Sequence, residues 1–225
     1  MGYKITIDGP AGAGKGFLAT ELANRLDLLY VDTGAMYRAI ALYTIENNID
    51  ASNNEQVIDS LKDINIKLSY EEKKLKIYLN NSDVSVKIRT EQVALVAAKV
   101  SSIPEVREFM VNIQRNFAKN NNIVMEGRDI GSIVLPDAEL KIFLTGSKEE
   151  RAKRRMLDLI NKGKVVTLEE VIDLINKRDE LDRTREISPL IKTEDMIEID
   201  TTNLDKDGVV KRALELVKEK GLIWS

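Results

Sequence analysis

The 225-residue sequence is 43% hydrophobic and 32% charged, and 34 Lys and Arg against 37 Asp and Glu leave a formal net charge of -3. That is enough apolar material for a sizeable core in one or two domains, with no global basic field of the kind nucleic-acid binders carry. Cysteine and histidine are both absent, which excludes disulfides, thiolate nucleophiles, Ser-His-Asp and Cys-His hydrolases, HExxH metalloenzymes and His- or Cys-ligated metals, and leaves carboxylates, Lys, Arg, hydroxyls, backbone dipoles or a hard cation to carry any catalysis.

Short apolar runs bounded by turn signals occur at 5–7, 28–31, 123–125, 140–144 and 196–199, each the length of a fully buried strand. Helical patterns lie between them. Residues 15–26 place Leu18, Leu22, Ala23 and Leu26 on one stripe, and 35–47 do the same with Met36, Ala39, Ile40, Tyr43 and Ile45. Such alternation predicts a parallel sheet with helices on both faces. No run approaches the roughly 20 apolar residues that span a bilayer, so a cytoplasmic protein without membrane contacts is expected. Met1-Gly2 opens a myristoylation-like pattern, but the strand at 5–7 argues against lipidation.

About ninety residues separate the second and third strands, far more than one crossover helix needs. Within them, 64–68 and 75–79 alternate with period two, around the charged turn Glu71-Glu72-Lys73-Lys74 and before the turn Asn80-Asn81-Ser82. This predicts a small antiparallel sheet, followed by helices over 90–100 and 104–119, the second opened by Pro104 with Ser101 and Ser102 as candidate caps. A second excursion follows the fourth strand: a helix over 147–161, a turn at Lys162-Gly163-Lys164, and a helix over 168–184. It concentrates Arg151, Arg154, Arg155, Arg178, Arg183 and Arg185, which composition alone reads as a solvated face paired with Glu149, Glu150, Asp179, Glu180 and Asp182.

Gly9-Pro10-Ala11-Gly12-Ala13-Gly14-Lys15 has the spacing G-x-x-x-x-G-K immediately after a strand and before a helix, the context a phosphate loop needs. The glycines let backbone N–H groups converge on phosphate oxygens, the helix aims its positive end at them, and Lys15 supplies an ammonium for the β and γ phosphates. Gly16 and Phe17 stand where a Ser or Thr hydroxyl would ordinarily meet Mg²⁺.

The run Ile7-Asp8-Gly9-Pro10-Ala11-Gly12-Ala13-Gly14-Lys15, together with Asp32-Thr33-Gly34-Ala35-Met36-Tyr37-Arg38, Gly127-Arg128-Asp129-Ile130-Gly131 and the set Arg178, Asp179, Asp182, Arg183 and Arg185, closely resembles the bacterial cytidylate kinases from the first strand to the last helix. The resemblance implies an α/β fold: a P-loop three-layer sandwich with a five-stranded parallel sheet, an inserted monophosphate-binding domain containing a small antiparallel sheet, and a short helical lid. It divides the chain into core at 1–38, 120–146 and 186–225, inserted domain at 39–119 and lid at 147–185. It implies transfer of the γ-phosphoryl of ATP to CMP or dCMP by a monomer, with Mg²⁺ held mainly through nucleotide phosphates and water and no metal ligand supplied directly.

By the same resemblance, Gly9, Pro10, Ala11, Gly12, Ala13, Gly14, Lys15, Gly16, Phe17 and Arg154 serve the donor nucleotide, with Arg151 and Arg155 as further lid residues. Thr33, Tyr37, Arg38, Arg107, Arg128, Asp129, Arg178, Asp182 and Arg185 serve the acceptor. Lys15, Arg128, Asp182 and Arg185 are the expected catalytic set, and Asp129 and Arg107 the expected readers of cytosine. Guanidinium forks at Arg38 and Arg128 suit an acceptor phosphate because they bind two oxygens in a plane. Arg178, Asp182 and Arg185 recur at i, i+4 and i+7, along one helix face. Ala98 stands where the family has a base-contacting Ser, leaving that contact missing or supplied by Ser101 or Ser102. Glu126 either holds a metal-bound water or caps the strand end. The competing readings are another small-acceptor kinase, for UMP or AMP, and an inactive nucleotide-binding protein.

Overall fold

The structure, a computed structural model, describes residues 3–71, 74–161 and 163–222. Met1-Gly2, the centre of the turn expected at Glu71-Glu72-Lys73-Lys74, and Lys162 of the turn at 162–164 lie outside the described residues. The elements follow in the order β1 (Lys4–Asp8), α1 (Lys15–Leu26), β2 (Leu29–Asp32), α2 (Thr33–Glu46), α3 (Asn54–Ser60), β3 (Ile66–Glu71), β4 (Lys74–Leu79), β5 (Ser82–Asp83), α4 (Glu91–Val100) and α5 (Pro104–Ala118). Then come β6 (Ile123–Gly127), a π-helical turn (Ile130–Val134), β7 (Leu140–Thr145), α6 (Lys148–Ile160), α7 (Leu168–Thr184), β8 (Ile197–Asp200) and α8 (Lys206–Glu219). The five apolar runs are the strands of a five-stranded parallel sheet, ordered β2-β6-β1-β7-β8. No described helix is long and apolar enough to cross a membrane.

The chain forms two compact units, one of residues 29–123 and one of residues 3–28 with 124–222. In the second, β1 and β7 pair in parallel with Ile5 opposite Leu140 and Ile7 opposite Ile142, and β7 continues onto β8 with Leu144 opposite Ile199. Ile5, Ile7, Leu140, Ile142 and Leu144 are all buried, and so are Thr6 and Lys141 between them, so both faces of these two strands are covered. Leu18, Leu22 and Ala23 of α1 are buried, with Leu26 half-buried, and α1 packs on α8. The helices α6 and α7 pair through Ala152, Leu159, Val171 and Ile175.

In the unit of residues 29–123, β3, β4 and β5 form the expected antiparallel sheet. Leu79 faces Ser82 across a two-residue turn whose Asn80 and Asn81 have φ of 48° and 69°, a left-handed conformation that asparagine tolerates. The helix α2 starts at Thr33 because the Asp32 side chain accepts from Ala35 N at 3.0 Å, and it packs on α4 through a buried face that includes Met36, Ala39 and Ile40. Two serines do not act as expected. The N-cap of α5 is Ile103, without a side-chain cap, while the Ser101 and Ser102 hydroxyls donate back to Ala98 O and Lys99 O of α4. Pro104 opens α5 with no N–H to satisfy, so the helix start makes less demand for a cap.

Candidate active site

β1 ends in Asp8, and the chain turns through Gly9–Gly14 into α1 along a path that only glycine permits at two points. Gly9, at φ 150°, would place a Cβ 2.0 Å from Leu144 O, and Gly12, at φ 76°, would place one 2.8 Å from Arg151 O. Any side chain there would drive the loop off β7 and α6. Gly14 is the N-cap of α1 and no side chain caps that helix, whereas α2, α4, α6, α7 and α8 all begin with one. The first-turn N–H groups of α1, at the positive end of the helix dipole, are thereby left for an anion.

One loop peptide is committed elsewhere. Ala11 N donates to Asp179 Oδ1 at 3.2 Å, and Ala11 O accepts from Arg151 Nη1 at 2.8 Å. Arg151 and Asp179 are joined at 2.7 Å, and Arg151 Nε also donates to Gly146 O at 3.0 Å. Arg151, expected to close on a triphosphate from the lid, is instead buried under the loop, because its place in the first turn of α6 lies against Gly12.

Lys15 is buried, with Nζ donating to Pro10 O at 2.8 Å. Burial, and then the Arg128 guanidinium, pull its ammonium down from 10.5 to about 7, against the opposing charges of Glu126, Asp182 and Asp8. Around Asp182 three guanidinium groups gather. Asp182 Oδ2 accepts from Arg128 Nε at 2.7 Å and from Arg178 Nε at 3.4 Å, and Asp182 Oδ1 lies 3.8 Å from Arg185 Nη1. Arg185 Nη2 is also 3.6 Å from Asp129 Oδ1. Burial pushes the Asp182 carboxyl up, but Arg128, Arg178 and Arg185 hold it below the ordinary carboxylate value. Of these three guanidinium groups Arg128 is the one whose charge Lys15 feels.

The helical face expected for Arg178, Asp182 and Arg185 holds for the first two only. The helix α7 ends at Thr184, and Arg185 is extended at φ -61°, ψ 138°, where its Nε donates to Ser188 O. Leu190 N returns to Asp182 O at 2.7 Å, so the turn after the helix, and not the helix, aims Arg185. Arg154 donates to Thr201 Oγ1 and Thr201 O at 2.7 and 2.6 Å. Phe17 is half-buried with its ring centre 5.2 Å from Lys206 Nζ. Neither Gly16 nor Phe17 carries a hydroxyl, and among the described residues no three carboxylates cluster as a metal site would require.

In the unit of residues 29–123, Arg107 is 2% exposed, stacks over the Tyr37 ring at 5.4 Å and donates from Nη1 to Ser101 O at 3.1 Å. Ser101 thus reaches the arginine by its carbonyl, while its hydroxyl faces Ala98. Arg38 Nη1 lies 3.7 Å from Asp32 Oδ2, and Thr33 is buried in the first turn of α2.

The model of the cytidylate kinase family matches residues 5–219. The chain belongs to the cytidylate kinase family. It is accordingly a phosphotransferase that phosphorylates CMP or dCMP. Among curated relatives it is 49% identical over 217 residues to a cytidylate kinase of Carboxydothermus hydrogenoformans, covering 96% of this chain and 98% of that one. It is 47% identical over 220 residues to a cytidylate kinase of Thermosipho melanesiensis, covering 98% and 99%. A solved structure of an uncharacterized protein from Eubacterium ventriosum shares the fold, with a TM-score of 0.52 at 15% identity and coverage of 96% and 98%.

Two features of the site have no role in the sequence-based expectations: the grip of Arg151 and Asp179 on Ala11, and the bonds of Asp8 described below. Asp8 carried one signal, a carboxylate at the end of a short strand whose Ile5 and Ile7 read as core.

Proposed function

We propose that this kinase takes the γ-phosphoryl from ATP and that its phosphate loop receives the donor through the N–H groups of Gly12, Ala13, Gly14, Lys15, Gly16 and Phe17. Ala11 is left out of that set because its N–H is bonded to Asp179. Lys15 and Arg185 neutralise charge on the equatorial oxygens of the group in transit, which is most of what phosphoryl transfer asks of a protein. Arg128 holds the acceptor phosphate, Arg178 and Asp182 hold the sugar hydroxyls, and Asp129 addresses the base. From the unit of residues 29–123, Thr33 and Arg38 serve the acceptor phosphate, and Tyr37 and Arg107 serve the acceptor base. A divalent cation supplies further charge neutralisation when nucleotide is bound. Glu126 or Asp32 would hold it through water, because the described residues offer no closed set of protein ligands.

The observation that carries this reading is the gathering of Arg128, Arg178 and Arg185 on one buried carboxylate beside Lys15. Guanidinium groups gathered in this way beside a lysine suit a phosphorylated ligand, whose oxygens they bind in pairs. ADP release from ATP and Mg²⁺ is to be compared with CMP, dCMP, UMP and AMP side by side. Turnover with CMP and dCMP well above the other two is expected, and equal rates with AMP would overturn the assignment of acceptor roles.

A further inference from the structure

Asp8 is fully buried at the end of β1, and none of the roles above uses it. Its two carboxylate oxygens are nevertheless both engaged: Oδ1 accepts from Ile130 N at 2.8 Å and Oδ2 from Gly131 N at 2.7 Å. Burial, with a contribution from the charge of Asp129, pushes this carboxyl up to about 6, while the two amides and Lys15 oppose the shift. An apolar residue at this buried position would avoid that cost. The amides it holds belong to the two residues that follow Arg128 and Asp129. They open the π-helical turn, in which Ile133 N and Val134 N donate to Asp129 O at 2.9 and 3.2 Å and Leu135 N to Ile130 O at 2.7 Å. The turn is pressed against β1, since a Cβ on Gly131 would lie 2.7 Å from Thr6 Oγ1, which has no hydrogen-bond partner among the described residues.

Arg128 and Asp129 are therefore held from two sides, by Asp182 and Arg185 on one and by Asp8 through the following amides on the other. We propose that Asp8 is a positioning residue that fastens the Arg128-Asp129 segment to the strand leading into the phosphate loop, and so sets the acceptor-binding side chains relative to the donor site. Only a carboxylate suits the task, because both amides are donors and an asparagine would turn its own N–H groups toward one of them. The inference rests on the reading of Arg128 and Asp129 as acceptor-binding.

The test compares Asp8→Asn with Arg128→Ala, measuring kcat/KM for CMP and, separately, ATP affinity by calorimetry without acceptor. Folded Asp8→Asn should lose about tenfold or more in kcat/KM for CMP, through misplacement of reacting groups, while ATP affinity changes by less than about threefold. Unchanged efficiency for CMP, or an equal loss in ATP affinity, overturns the role. If Arg128→Ala leaves CMP efficiency intact, the underlying reading of the acceptor site fails. If it impairs CMP use while Asp8→Asn does not, only the role of Asp8 fails. Should Asp8→Asn not fold, Gly131→Ala displaces the same segment from β1, because its methyl meets Thr6 Oγ1 at 2.7 Å. CMP efficiency should fall in Gly131→Ala and recover in part when Thr6→Ala removes the tightest contact, with Met196 Cε at 3.0 Å and Lys141 Cδ at 3.2 Å remaining. Absence of either effect overturns the proposal.

Discussion

Arg151 and Asp179 form a buried ion pair 2.7 Å apart that closes on the Ala11 peptide from both sides, Arg151 taking its carbonyl and Asp179 its N–H. Arg151 comes from the first turn of α6 and Asp179 from within α7, so the pair ties both helices to the phosphate loop. Removing Asp179 would leave a buried guanidinium unpaired. Asp179→Ala should therefore cost roughly 3–5 kcal/mol, read as a shift in the urea midpoint at constant slope. The double replacement Arg151→Met with Asp179→Leu should cost less than that single change. A loss under about 1 kcal/mol in Asp179→Ala would mean the pair is solvated in solution and braces nothing.

Lys15 is held below its ordinary range by burial and by Arg128, down to about 7. A lysine depressed on folding binds its proton less well in the native state, so the nucleotide-free protein gains stability from this group as pH rises from about 7 toward 10.5. A triphosphate reverses the shift. ATP binding at pH 8 should then take up protons, seen as a dependence of the calorimetric heat on the ionisation enthalpy of the buffer. Lys15→Arg, which stays charged, should abolish the uptake. Lys15→Ala should lose transfer by roughly 3 kcal/mol or more of transition-state stabilisation while still binding CMP. Near-normal turnover in Lys15→Ala would remove the phosphate-loop assignment.

Gly16 and Phe17 deprive the loop of the hydroxyl through which many phosphate loops meet a cation, and no carboxylate trio replaces it among the described residues. Mg²⁺ should bind the nucleotide-free protein weakly, with affinity appearing only once ATP is present. A micromolar dissociation constant for Mg²⁺ alone would contradict this, as would a reaction rate indifferent to EDTA.

What could be read from the sequence follows from which physical constraints are local. Strands around Ile5, Ile142 and Ile199 are legible because each is a short segment with buried apolar residues bounded by turn signals. The phosphate loop is legible because Gly9 and Gly12 answer to backbone contacts that exclude any side chain. The short helix α3 buries just Val57 and Ser60 and so has no periodicity to detect. Arg151 and Asp179 are 28 positions apart within a charge run, and nothing local separates a buried pair from a solvated face. Arg185 reads as helical from spacing, but the bond from Leu190 N to Asp182 O turns the chain before it. Asp8 meets its partners 122 and 123 positions away, a distance at which only the folded sheet makes the pairing visible.

Base selection gives the sharpest test of the acceptor site. Asp129 is buried and lies 3.6 Å from Arg185, a position with two candidate roles, reading a base and orienting that arginine. Cytosine offers an exocyclic amine that a carboxylate accepts, whereas uracil presents an oxygen, leaving two acceptors face to face with no proton between them. If Asp129 reads the base, Asp129→Asn removes the charge, keeps the size and adds a donor that uracil O4 accepts. The ratio of kcat/KM for CMP to that for UMP should then fall by about tenfold, equivalent to roughly 1.4 kcal/mol. If Asp129 only orients Arg185, both acceptors slow together and the ratio stays fixed. Measuring kcat/KM for both acceptors in wild type and variant separates the two roles, because an arginine misplaced near the transferring group penalises every acceptor alike while a changed base contact penalises one and favours the other.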